Sequence, residues 1–198
     1  VDKMRYLIVC GGKIDKEFGL NEIKTDGIDV IIAADSGMDF LYENGVTPDI
    51  IVGDFDSATT KALEFFERKG QTEIHRLNPV KDDTDTEYAI RLAIKHGARS
   101  IVVIGATGSR IDHVLGNISL LGIGLESGID IRIIDANNRI RMADKPVTIE
   151  KLSQYGRFVS LIALTDDNEV SLKGFKYPVT DYSFDRFTSL GISNEIID

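Results

Sequence analysis

The sequence predicts an α/β N-terminal domain on a mainly parallel open sheet, residues 1–127, followed by an antiparallel β module, residues 128–198. Three observations predict it. Apolar runs of strand length alternate with amphipathic segments through the first two thirds of the chain. Those runs are nearly continuous in Val and Ile, as in strands covered on both faces by helices. After about residue 128 no helical period persists, and short apolar runs follow one another with turn residues between.

Taken in order, "YLIVC" (6–10), "VIIAA" (30–34), "DIIVG" (49–53), "TEIHRL" (72–77) and "SIVVIGA" (100–106) are the predicted strands of the parallel sheet. The pieces between them read as helices. "SGMDFLYENG" closes at Gly45, and "SATTKALEFFERKG" begins at Ser57, a good N-cap, and closes at Gly70. "TDTEYAIRLAIKHG" opens with a capping box, Thr84 to Glu87, and ends at Gly97; "IDHVLGNISLL" is the last helix. The module beyond comprises "IDIRIID", "NRIRMA", "VTIEK", "GRFVSLIALT" and "EVSLKGF", with hairpin turns expected at "DANN" (135–138) and "TDDNE" (165–169). Strand–helix–strand alternation implies right-handed crossovers.

Composition excludes several function classes. A chain of 198 residues with 42% hydrophobic and 28% charged residues folds into real cores. A net charge of −9 argues against a nucleic acid or an anionic membrane as partner, since both need clustered Lys and Arg. The single cysteine, Cys10, rules out an intrachain disulfide framework and fits a reducing cytoplasm. It reads as a small buried hydrophobe.

Ligands of open α/β sheets bind beyond the carboxyl ends of the strands, and there the unusual residues collect. Asp35, Ser36 and Gly37 end the second run; Asp54 and Asp56 end the third; Asp82, Asp83 and Asp85 follow the fourth; Gly105, Gly108, Arg110, Asp112 and His113 follow the fifth. In extended chain Asp54 and Asp56 point to one side, roughly 6 to 7 Å apart. At that distance they repel by about 2.5 kcal/mol at an effective dielectric near 20. A shared proton, neighbouring basic residues or a divalent cation would compensate. The cation fits best, because Lys81 is the only Lys or Arg in the acidic motifs at strand ends two, three and four, and a third carboxylate from "KDDTD" would complete an oxygen site of the kind Mg²⁺ takes. The glycine turns "CGGK" and "GATGSR" lie where backbone N–H groups approach phosphates, and Arg110 offers a charged fork. Together these features point to phosphoryl or pyrophosphoryl transfer.

The motifs "ADSG" (34–37), "GDFDS" (53–57), "DDTD" (82–85), "GATGSRIDH" (105–113), and "GFKYPV" followed by "SLGISNE", in this order over nearly the whole chain, resemble thiamine pyrophosphokinases. The resemblance implies transfer of pyrophosphate from ATP to thiamine, giving thiamine diphosphate and AMP. It also implies an N-terminal domain that holds ATP and Mg²⁺, a C-terminal β-sandwich and a cytoplasmic homodimer whose thiamine pocket lies between subunits. Carried over by motif, Asp54, Asp56 and Asp82 become the Mg²⁺ ligands. Asp35, Ser36, Asp85, Gly108 and Arg110 face ATP and its phosphates, Asp112 faces the reacting hydroxyl, and Ser193 and Asn194 contact thiamine. Asp82 or Asp112 accepts the hydroxyl proton. The family continues past the equivalent of Asp198 through another hairpin, so a truncated C-terminal end is expected. Two alternatives are a pyrophosphokinase acting on a hydroxymethyl pterin and a non-catalytic nucleotide sensor.

Overall fold

The structure, a computed structural model, describes residues 4–56, 59–78 and 83–197. It divides into two compact units, Val1–Lys145 and Pro146–Asp198.

The first unit is a seven-stranded sheet in the order β4-β3-β2-β1-β5-β6-β7. Its strands are β1 Arg5–Val9, β2 Val30–Ala34, β3 Ile50–Gly53, β4 Glu73–Arg76, β5 Ser100–Ile104, β6 Asp130–Ile134 and β7 Arg139–Arg141. Every pairing is parallel except β6 with β7. The helices are α1 Lys16–Ile23, α2 Gly37–Glu43, α3 Thr60–Lys69, α4 Asp85–Lys95 and α5 Ile111–Ser127. All five predicted parallel strands form within two residues of their expected limits.

Strand pleating sorts the core into two clusters. Tyr6, Ile8, Ile32, Val52 and Val103 pack with Ala89, Ile90 and Ala93 of α4 and Leu121 of α5. Leu7, Val9, Ala33 and Ile51 pack with Met38 and Leu41 of α2 and Ala62, Leu63 and Phe66 of α3. Both faces of the central strands are therefore buried, which is why their sequences run apolar without alternation.

Helix ends follow the sequence in part. Thr84 accepts from the Glu87 N–H at 3.2 Å, the expected cap of α4. Gly70 and Gly128 close α3 and α5 in the left-handed conformation, φ 63° and 69°. The N-cap of α3 is Thr59, not Ser57, which lies outside the described residues. Helix α1, for which the sequence reading gives no limits, is capped by Asp15, whose carboxylate accepts from the Phe18 N–H at 2.9 Å.

The boundary between the units falls at 145/146 rather than 127/128. "IDIRII" is not the first strand of an antiparallel module; as β6 it pairs parallel with β5, Ser100 opposite Asp130 through Val103 opposite Ile133. It misleads because Ile131 and Ile133 are buried while Asp130 and Arg132 are only half-buried, giving the alternation of a one-sided strand. "DANN" does form the β6–β7 turn, with the Asp135 N–H donating to the Asn138 carbonyl at 2.9 Å.

In the second unit, β8 (Asn168–Leu172) and β9 (Val179–Phe184) form an antiparallel pair with an irregularity between Val170 and Leu172. Single bridges join Val159 to Asn194 and Phe175 to Ile196. "TDDNE" leads into β8 rather than joining two paired strands, and "VTIEK" forms no strand but ends at Lys151, the first residue of a short 3₁₀ turn, Lys151–Ser153. Phe184 and Ile196 are this unit's buried apolar side chains among the described residues. No helix among the described residues is long and apolar enough to cross a membrane.

Candidate active site

Chain order along the sheet reverses between β1 and β5, since β2 to β4 lie on one side of β1 and β5 to β7 on the other. A crevice at such a point, beyond the carboxyl ends of the strands, is the usual ligand site of an open α/β sheet. Two glycine turns make its floor. The Cys10 N–H donates to the Ile104 carbonyl at 2.8 Å and the Gly12 N–H to the Gly105 carbonyl at 2.9 Å. A Cβ on Gly12 would meet the Gly105 oxygen at 2.3 Å, and one on Gly105, itself at φ 71°, would meet the Cys10 oxygen at 2.3 Å. Only glycine allows this approach. A Cβ on Gly108 would lie 3.7 Å from the Gly12 Cα, with nothing else within 4 Å. Ser36 packs against the Gly11 turn, where a Cβ would meet its Oγ at 2.0 Å.

Beside this floor, the ends of β2 and β3 bring three carboxylates together. Asp35, Asp54 and Asp56 each offer an oxygen within 4.8 Å of the others. The register places Ala34 opposite Val52, so Asp35 and Asp54 leave neighbouring strands almost side by side. The Asp35 N–H donates to the Val52 carbonyl at 2.8 Å, with Asp35 at φ 47°. Gly53 lets the strands close in, because a Cβ there would meet the Asp35 Cα at 3.1 Å and the Phe55 ring at 3.2 Å.

Asp54 and Asp56 do not converge by extended alternation. Phe55 between them is left-handed, φ 65°, and the Asp56 N–H donates to Asp54 Oδ1 at 3.2 Å, a tight Asx turn. A bulky residue with positive φ costs of order 1–2 kcal/mol. The Phe55 ring offsets this by packing on the core and under the Arg76 guanidinium, 5.4 Å from its centroid, with Arg76 ion-paired to Glu67 of α3.

Of the predicted metal ligands, the structure brings together Asp54 and Asp56; Asp82, with neighbouring Lys81, lies outside the described residues. The third carboxylate in the cluster is Asp35, which sequence reasoning had put on the nucleotide side. Octahedral ligation at about 2.1 Å separates donor oxygens by about 3 to 4.2 Å. Oxygens already within 4.8 Å reach that spacing by small rotamer shifts, and hard carboxylate donors suit Mg²⁺ or Ca²⁺.

Asp85 opens α4 on the same rim. Its neighbour Thr86 lies 3.4 Å, Oγ1 to Sγ, from buried Cys10. Burial pushes the Cys10 thiol up to about 11, so it is an inert core group, as expected. Arg110 and Asp112 face each other: Nε and Nη2 of the guanidinium donate to the two carboxylate oxygens at 3.3 and 2.6 Å. This fork holds the Asp112 carboxyl below its ordinary range and raises Arg110. Asp112 is a weak base while so paired.

Two further residues shape the glycine loop and were missed in the sequence. Asp135 accepts from the Thr107 hydroxyl at 2.7 Å and from the N–H groups of Asn137 and Asn138 at 2.8 and 2.7 Å. Burial raises its carboxyl, but these donors outweigh that and hold it low. Asn117 of α5 donates to the Ala106 carbonyl at 2.9 Å. Only the Asn/Asp-rich turn signal pointed there.

In the second unit, Ser193 is exposed, at φ 59°, with its N–H on Ser160 Oγ at 3.0 Å. Asn194 is buried and otherwise engaged. Its Oδ1 accepts from the Tyr177 N–H at 3.1 Å, and its Nδ2 donates to the Tyr177 carbonyl at 2.8 Å. Asn194 and Tyr177, with Leu172, Val179, Phe184 and Ile192, line a cavity of about 170 Å³.

Comparison with known proteins covers both units. A family model described as "Thiamin pyrophosphokinase, catalytic domain" matches residues 24–133, and one described as "Thiamin pyrophosphokinase, vitamin B1 binding domain" matches 146–198. The chain is 37% identical over 175 residues to a thiamine pyrophosphokinase of Bacillus subtilis (strain 168), spanning 87% of this chain and 81% of that one. The crystal structure of thiamine pyrophosphokinase from Bacillus subtilis is similar with a TM-score of 0.86 and 34% identity, covering 98% of this chain and 90% of that one. That of thiamin pyrophosphokinase from Geobacillus thermodenitrificans has a TM-score of 0.81 and 30% identity, covering 98% and 89%.

Proposed function

The chain belongs to the thiamine pyrophosphokinase family, and from that premise we propose how its own residues carry out the reaction. It is a thiamine diphosphokinase: it transfers the pyrophosphoryl group of ATP to the hydroxyl of thiamine, giving thiamine diphosphate and AMP. The single observation that carries the proposed site is the Asp35, Asp54 and Asp56 cluster, inside the residues matched by the catalytic-domain model.

These three carboxylates would hold a divalent cation, Mg²⁺, with Asp82 a fourth proposed ligand. Bound there, the cation neutralises charge on the phosphate oxygens of ATP. Apart from the Gly12 N–H, which the Gly105 carbonyl holds, the glycine turns at 11–12 and 105–108, together with Ser36, direct N–H and O–H donors to the phosphates, and Asp85 lies on the same rim. Arg110 exchanges its Asp112 partner for a phosphate oxygen, which leaves the Asp112 carboxylate to face the thiamine hydroxyl. A loose transition state asks little of a base, so the depressed Asp112 carboxyl is no obstacle. In the second unit Ser193 presents its hydroxyl to thiamine, while Asn194 acts by holding the Tyr177 backbone. The working form we propose is a cytoplasmic homodimer; the free Cys10 supports the compartment, and exposed Leu152, Ile162 and Phe187 supply apolar surface for association.

The test is to incubate the protein with ATP, Mg²⁺ and thiamine and follow phosphorus species by NMR. AMP with thiamine diphosphate is the expected outcome. ADP as product, turnover only with a hydroxymethyl pterin, or ATP binding without turnover would each overturn it.

A further inference from the structure

Among the described residues, a polar contact outside the cluster ties together the two chain segments that supply the clustered carboxylates. Asp35 begins the connection into α2, and one helical turn on stands Asp39, in the first turn of that helix. Asp54 and Asp56 begin the connection into α3, and shortly after them comes Thr59, the residue that caps it. The Thr59 N–H donates to both oxygens of the Asp39 carboxylate, at 3.3 and 3.2 Å, and the Thr59 hydroxyl donates to Oδ1 as well.

The Thr59 hydroxyl is diverted from its ordinary task. A threonine at an N-cap normally accepts from the backbone N–H of the second or third helical residue, worth about 1 kcal/mol. Thr59 has the extended backbone of an N-cap, φ −74° and ψ 127°, yet makes no such bond. Its hydroxyl spans to the neighbouring helix instead. Helix α3 forgoes that bond, and the β2–α2 and β3–α3 segments are clamped at a fixed separation just beyond their carboxylates.

We propose that Asp39 is a positioning residue for the metal site: through Thr59 it sets the spacing between Asp35 on one segment and Asp54 and Asp56 on the other. The inference rests on the metal reading of that cluster. Asp39 is not itself one of the clustered carboxylates. It acts at one remove, and outer partners that orient metal ligands typically alter affinity by about 10- to 100-fold.

The test is Mn²⁺ binding to the full chain, read by electron paramagnetic resonance without nucleotide, beside melting in EDTA. Asp39→Ala and Thr59→Val should each weaken Mn²⁺ by about tenfold or more, while Thr59→Ser, which keeps the hydroxyl, and Asp39→Asn, which keeps one acceptor oxygen, recover most of the loss. The KM for thiamine should not move. Asp39→Ala with Thr59→Val should be no weaker than the worse single variant, as expected of one shared contact. If Thr59→Val binds Mn²⁺ within about twofold of the parent while Asp39→Asn loses as much as Asp39→Ala, the effect is charge and the clamp is refuted. Unchanged affinity in both Asp39→Ala and Thr59→Val, with lowered melting, would make the contact a helix anchor only. If the parent chain binds no Mn²⁺ that Asp54→Asn removes, the metal reading itself fails, and this inference with it.

Discussion

Replacing Asp54 by Asn separates the carboxylate's contribution to the fold from its contribution to chemistry. At 4.8 Å, the outer limit of the cluster spacing, two unit charges repel by about 0.9 kcal/mol in bulk water and about 3.5 kcal/mol at a dielectric of 20. The substitution removes two of the three repulsive pairs. Asp56 is exposed and the other two are half-buried, so screening keeps the total near the lower bound, about 1–2 kcal/mol. The Asn oxygen still accepts the Asp56 N–H, so the Asx turn that holds Phe55 survives. In EDTA the variant should therefore melt about 2–8 °C above the parent chain. Added Mg²⁺ reverses the order, because a ligand at 100 times its Kd stabilises the parent by about 2.7 kcal/mol and the variant hardly at all. Turnover should fall by more than about a hundredfold, beyond the range of outer-shell changes. The assays are thermal melts with and without metal, and AMP release. A metal-free variant less stable than the parent by more than about 1 kcal/mol, or equal Mg²⁺ stabilisation of both chains, would refute the reasoning.

Other expectations follow from single contacts. Arg110→Gln should leave the melting temperature where it is, since both partners of its ion pair are exposed, yet raise the KM for ATP in steady-state assays. Asp135 has a depressed carboxyl, so its contribution is full above its ordinary value of 3.8 and is lost as pH falls through the lower folded value. The stability gap between the parent and Asp135→Asn, measured by urea unfolding, should accordingly be wide at neutral pH and close in acid. Asn194→Ala frees two Tyr177 backbone groups and should destabilise the second unit by about 2–3 kcal/mol, as hydrogen exchange at Tyr177 would report. Ser193→Ala should raise the thiamine KM with little change in that exchange.

Local signals proved reliable where one residue decides the outcome. The Thr84 cap of α4 and the glycine stop at Gly70 are written in types that only those backbone positions favour. Alternation at Ile131 and Ile133 was ambiguous, because it reports how many faces a strand buries and not whether its partner runs parallel. Ser57 and Thr59 are both acceptable caps, and composition alone did not separate them. At the site, Asp54 and Asp56 were legible as a pair, but by the wrong geometry. The left-handed Phe55 that turns them together is a tertiary outcome, held by the Arg76 stack.

By itself the sequence determined the parallel sheet, the acidic and glycine-rich rim, the pyrophosphokinase motifs and their order. Each of these depends on residue type and short spacing, which the local chain already contains. Only the tertiary structure decided that Asp35 joins Asp54 and Asp56, that "IDIRII" belongs to the first sheet, and that Asn194 is occupied with Tyr177. The first two depend on which strands lie side by side and in what register. That choice is made by burying Ile and Val on both faces of the sheet at once, and the carboxylates are carried to their positions by apolar residues far from them in sequence.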